Sequence, residues 1–122
     1  MVIVQTSYFA NLKNVENPVS VAGKCPDFYK GRPEYKKLAP KYDWWKKWHD
    51  EKLSNEWYIE QYRKTVLEKL NPSQTLSELL SIYPNANVIT LLCWERAGLF
   101  CHRHLISQWL ADNINGLMVK EL

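Results

Sequence analysis

The stretch Asn87-Val88-Ile89-Thr90-Leu91-Leu92-Cys93 decides the fold. It is a short apolar run rich in β-branched residues, preceded by Pro84-Asn85 and followed by Gly98, and it reads as a strand buried on both faces. Two further runs share its character. Val2 to Phe9 ends in Thr6, Ser7 and Tyr8, and Val19-Ser20-Val21-Ala22 follows Pro18 and stops at Gly23. A final short strand is expected from Leu117 to Lys120, released by Gly116.

Helical spacing fills the intervals. Ser54 is placed to cap a helix running to Leu70, with Ile59, Tyr62, Val66 and Leu70 as its apolar positions. Asn71-Pro72 breaks it. Thr75-Leu76-Ser77-Glu78 then matches a capping box and predicts a second helix, with Leu76, Leu79, Leu80 and Tyr83 as its buried stripe. A last helix is predicted from His102 to Asn113, burying Leu105, Ile106, Trp109 and Leu110. Strands separated by helices predict an α/β fold: a small three-layer Rossmann-like domain with a mainly parallel sheet of about four strands. In such folds ligands collect outside the carboxyl ends of the strands. Those ends here are Thr6-Ser7-Tyr8, Ala22-Gly23-Lys24 and Cys93-Trp94-Glu95.

The chain of 122 residues is read as one domain, 1–122. Within it, residues 24–52 form a basic, aromatic excursion, expected to be irregular and mobile up to Lys41. Nine Lys/Arg face five Asp/Glu there, so this segment carries the chain's positive excess, the net charge of the whole being +3. Such an excess favours an anionic ligand but is too small to point to nucleic acid by itself. Six Trp and seven Tyr exceed what a core of this size needs, so some are expected to line a pocket. Trp44, Trp45 and Trp48 lie at helical spacing, and pinning an aromatic face to the core is favoured over caging a ligand. His49 is expected to be exposed.

No basic region leads into a long apolar run at the N-terminus, and no stretch approaches the ~20 apolar residues of a membrane span. A cytoplasmic chain with reduced thiols is the expectation for Cys25, Cys93 and Cys101.

The chemistry gathers in L-L-C-W-E (91–95) and F-C-H-R (100–103). Cys93 stands at a strand tip, with Glu95 two residues on and on the same side if the chain stays extended. Arg103 and two histidines open a helix, where the macrodipole disfavours cations. They make sense there if an anion or Glu95 offsets the charge. Arg103 is read as a clasp on Glu95, as an anion clamp, or as both, since a clasp can orient a guanidinium for a ligand. Cys93 is read as a buried structural residue or, if His102 and Arg103 lower its thiol pKa, as a nucleophile. Cys93, Cys101 and His102 or His104 are conceivable zinc ligands. Their spacing fits no common structural pattern and no fourth ligand is evident, so no metal is expected. Neither a Gly-rich phosphate loop nor G-x-G-x-x-G is present, and no cofactor is expected.

These residues carry a family resemblance. L-L-C-W-E followed by F-C-H-R-H-L-I resembles the signature of the DUF488 family, as do T-S-Y-F-A-N-L, V-S-V-A-G and G-R-P-E-Y-K-K-L-A-P. The resemblance implies a compact α/β fold in a bacterial or phage-encoded setting, and no established reaction. It places the family motif on Cys93, Glu95, Cys101, His102 and Arg103. Longer members carry an early Asp-Val-Arg segment where this chain has V-S-V-A-G-K.

The expected function is binding of an anionic small ligand of nucleotide type, through Thr6, Ser7, Tyr8, Phe9, Lys24, Arg32, Tyr35, Trp94, Arg103 and His104. The alternative is an enzyme acting on a nucleotide, nucleoside or nucleobase, with Cys93, Glu95 and His102 as its catalytic groups. A third reading is a protein–protein module built on the Trp-rich segment. A homo-oligomer that completes the site between protomers is left open.

Overall fold

A computed structural model describes residues 2–96 and 98–122. Four strands form one all-parallel sheet: β1 (Ile3–Tyr8), β2 (Pro18–Ser20), β3 (Val88–Cys93) and β4 (Met118–Glu121), in the order β2-β3-β1-β4. β1 and β3 occupy the centre, in register from Ile3 opposite Val88 to Tyr8 opposite Cys93. Val4, Ile89, Leu91 and Leu92 are fully buried there, as expected for strands covered on both faces. β4 is an edge strand with little buried surface.

Four helices flank the sheet: α1 (Tyr42–Glu51), α2 (Asn55–Thr65), α3 (Pro72–Ile82) and α4 (His102–Asn113). α4 packs on β1, β3 and β4 and also touches α2 and α3. Ser54 caps α2, its hydroxyl accepting from the Trp57 amide at 3.1 Å. Two local expectations are corrected. α2 turns Tyr58 and Tyr62 inward and leaves Ile59 exposed, and it ends at Thr65 before a 3₁₀ turn at Leu67–Lys69. α3 begins a turn earlier than the capping-box pattern suggests. Asn71 is its N-cap, accepting from the Gln74 amide at 3.0 Å, with Pro72 in the first turn, and Thr75 lies buried inside the helix. The Asn-Pro pair, expected to break α2, instead starts α3, since α2 has already ended at Thr65. Asn71→Ala is expected to lower stability by about 1 kcal/mol in urea unfolding.

The segment after β2 is also better ordered than its composition suggests. Tyr29 and Leu38 are fully buried, each on a short 3₁₀ turn. Ser20 donates its amide to Pro33 and accepts from the Tyr35 amide, so the segment docks beside β2.

Candidate functional site

The carboxyl ends of β2 and β3 open onto a cavity of about 760 Å³, the place that parallel α/β sheets offer to ligands. Ala22, Gly23 and Lys24 approach from β2, and Cys93, Trp94 and Glu95 from β3. Phe100, Cys101 and His102 come from the start of α4. Apart from Pro40, the remaining wall is aromatic: Tyr42, Trp45, Trp48 and His49 from α1, and Tyr58 from α2.

The rings brace one another. Tyr58 meets Trp48 edge-on at 4.8 Å between centroids and Phe100 at 4.9 Å, while Trp45 stacks on His49 at 5.2 Å. Trp94, largely exposed, is held by Nε1–H donating to the Lys24 carbonyl at 2.7 Å and by an edge contact with Phe9. The Trp triplet thus divides its labour. Trp44 turns into the core, where its Nε1–H donates to Thr65 Oγ1 at 2.8 Å. Trp45 and Trp48, three residues apart, share the cavity-facing side. The Trp48 ring nitrogen is buried without an acceptor among the described residues.

Of the residues expected to bind ligand, the cavity gathers Lys24 and Trp94. It also gathers Cys93, Glu95 and His102, the expected catalytic groups. Phe9 stands behind Trp94. The others lie elsewhere. Thr6 and Ser7 are buried inside the sheet, Thr6 donating its hydroxyl to Glu121 and Ser7 accepting from Asn11 Nδ2 at 3.0 Å. Tyr8, His104 and Arg32 are outside the lining, and Arg32 is exposed. Tyr35 bonds Glu78 at a separate hollow between the basic segment and α3. Tyr42, Trp45, Trp48, Tyr58 and Phe100 were not singled out as site residues. The spacing of W-W-K-K-W carried the signal, but it served a core reading equally well.

Arg103 forms a clasp inside the fold. It is fully buried. Its Nε–H and Nη2–H donate to the two Glu121 carboxylate oxygens at 3.2 and 2.8 Å, and Nη1–H donates to the Glu95 carbonyl and to Cys93 Sγ at 3.3 Å. The expected clasp exists, but its carboxylate is Glu121. The chain bends after Cys93, so Glu95 offers its backbone oxygen while its side chain stays exposed. Burial pulls the Glu121 carboxyl up, yet the bonds from Arg103 and Thr6 outweigh it and leave it below the ordinary 4.5. A carboxylate lowered on folding contributes stability above its unfolded pKa and loses it as pH falls. Stability is therefore expected to fall as pH drops below about 4.5. Urea unfolding of Glu121→Gln should show a flatter profile over that window.

His102 is buried and donates Nε2–H to the Val21 carbonyl at 2.6 Å. Burial holds its imidazole down to about 4, so it is neutral near pH 7. Its Nδ1 faces Cys101 Sγ at 3.9 Å. The expectation of three free thiols is corrected: Cys93 and Cys101 are joined in a disulfide, and the free thiol is the buried Cys25. The loop between β3 and α4 brings the two sulfurs together across eight positions. Among the described residues, no helix is long and apolar enough to cross a membrane.

The profile of the DUF488-N3a family, described as the active DUF488-N3 subclade, matches residues 12–114. Neither a curated protein nor a solved structure matches the chain. The match runs from the turn after β1 to the end of α4 and takes in every residue of the cavity wall, and the chain belongs to the DUF488 family, in its DUF488-N3a branch.

Proposed function

We propose that this protein binds a small molecule carrying a flat aromatic ring, of the nucleobase, nucleoside or nucleotide class, in the cavity beyond β2 and β3. One observation carries the reading: six aromatic side chains, Tyr42, Trp45, Trp48, Tyr58, Trp94 and Phe100, converge on one cavity of about 760 Å³. That volume lies in the range of small-molecule sites, and aromatic walls bind bases through stacking without demanding one sequence of donors. Lys24 is the lysine of the lining and would receive an anionic substituent. Arg103 drops out of this role, because Glu121 already balances its charge inside the fold.

A panel of nucleobases, nucleosides and nucleotides tested by thermal shift and by quenching of tryptophan fluorescence checks the proposal. Members of one base class should raise the melting temperature and quench emission, with Lys24→Ala weakening nucleotides more than nucleosides. A panel with no shift and no quenching would overturn it.

A second reading, in which the protein acts on that ligand, is favoured by Cys93, Glu95 and His102 lining the same cavity and by the description of the matched subclade as active. Consumption of a panel member, lost in Glu95→Gln, would establish it.

A further inference from the structure

Cys93, Cys101 and His102 line the cavity side by side. Cys93 Sγ, Cys101 Sγ and a ring nitrogen of His102 lie within 4.8 Å of one another, and all three residues are buried. They come from two elements that the β3–α4 loop folds together, Cys93 from the strand end and Cys101-His102 from the helix start. We propose that, once the disulfide is reduced, these residues form a metal site for zinc or a similar borderline-soft divalent cation, with its fourth position open to the aromatic cavity.

The surroundings favour ligation. The Val21 carbonyl accepts Nε2–H of His102, which fixes the tautomer and leaves the Nδ1 lone pair directed at Cys101. A backbone acceptor on the far nitrogen is the outer-shell partner that metal-binding histidines keep. Arg103 places an N–H on Cys93 Sγ, an arrangement suited to an anionic sulfur. Yet the Arg103 charge is already matched by Glu121. Two buried thiolates would therefore need a further positive charge, and a divalent ion supplies it.

Two sulfurs and one imidazole make a set that soft and borderline metals prefer. Three protein ligands with a vacant fourth place are the arrangement of catalytic rather than structural zinc. Here that place faces the cavity, for a water or a ring nitrogen of the bound molecule. The chemistry balances simply. A thiol reductant delivers two electrons and two protons to the Cys93–Cys101 bond, giving two thiols. The metal then binds the two thiolates as both protons leave.

The spacing of Cys93, Cys101 and His102 matches no common zinc pattern in sequence, and the fold supplies the convergence instead.

The test uses metal alone, so it stands or falls separately from nucleobase binding. Reduced full-length protein is titrated with cobalt(II) under anaerobic conditions. One equivalent should bind, with a sulfur-to-cobalt charge-transfer band and the intense visible bands of tetrahedral cobalt, and zinc should displace it. Cys93→Ser and Cys101→Ser should each weaken cobalt by about a hundredfold or more, beyond the upper end of outer-shell effects. His102→Ala should weaken it too, and Cys25→Ser should bind as the parent does. Should the serine variants fail to fold, alkylation of the unmodified reduced protein decides. Zinc should shield Cys93 and Cys101 from iodoacetamide, read by peptide mass spectrometry. Absence of a charge-transfer band in folded, reduced protein would overturn the proposal. So would parent-like binding in the serine variants, or alkylation of Cys93 and Cys101 unaffected by zinc.

Discussion

Glu121→Ala is expected to destabilise the fold by about 3 kcal/mol, although the residue lies on an edge strand next to the last position of the chain. A surface substitution normally stays within about 0.5 kcal/mol. The difference lies in Arg103, which is fully buried and directs three of its N–H bonds inward from α4. Without Glu121 that guanidinium keeps its desolvation cost and loses its countercharge. The 30% exposure of the Glu121 side chain puts the effect at the low end of the range for broken buried pairs, about 3–5 kcal/mol. Arg103→Met should cost a comparable amount. The double variant Arg103→Met, Glu121→Leu should recover much of the loss, because replacing both partners removes the stranded charge. Equal, additive losses in urea unfolding would contradict this account of the pair.

Tyr62→Ala should have an effect of similar size or larger, about 3–5 kcal/mol, the usual range for deleting a buried ring. The ring is fully buried between Tyr58 and His102, and its hydroxyl donates to the Leu38 carbonyl at 2.6 Å. That bond ties the basic segment after β2 to α2. Tyr62→Phe keeps the ring but leaves the carbonyl without its partner, at about 1–2 kcal/mol. Hydrogen exchange in Tyr62→Phe should accelerate around Leu38 and Ala39 more than in the sheet. Uniform acceleration would mean that the segment is held by packing alone.

What could be read from the chain, and what could not, divides by range. The bounds of β3 and α4 follow from a bounded apolar run and a helical stripe, both local signals. Their parallel packing follows from the alternation of element types, and so does a cavity at the strand ends. Asn71 and Thr75 both present a capping pattern, and the pattern alone does not say which one the chain uses. The Arg103–Glu121 pair spans 18 residues and joins a helix start to an edge strand. No periodicity encodes it, and the nearer Glu95 was the natural partner to expect. The Cys93–Cys101–His102 set can be named from the sequence, but its spacing fits no common zinc pattern, and only the fold brings the three ligand atoms within 4.8 Å. Trp45 and Trp48 were visible as rings at helical spacing, but which face meets the core depends on where α2 lies.

The central claim is that the aromatic cavity, and not the Arg103 helix start, is the ligand site. Calorimetric titration of Trp45→Ala with the best member of the nucleobase and nucleoside panel tests it most directly. Stacking on one ring contributes about 1–3 kcal/mol, so binding should weaken by about 10- to 100-fold while the melting temperature of the free protein changes little. Unchanged affinity in Trp45→Ala would place the ligand elsewhere and contradict the account.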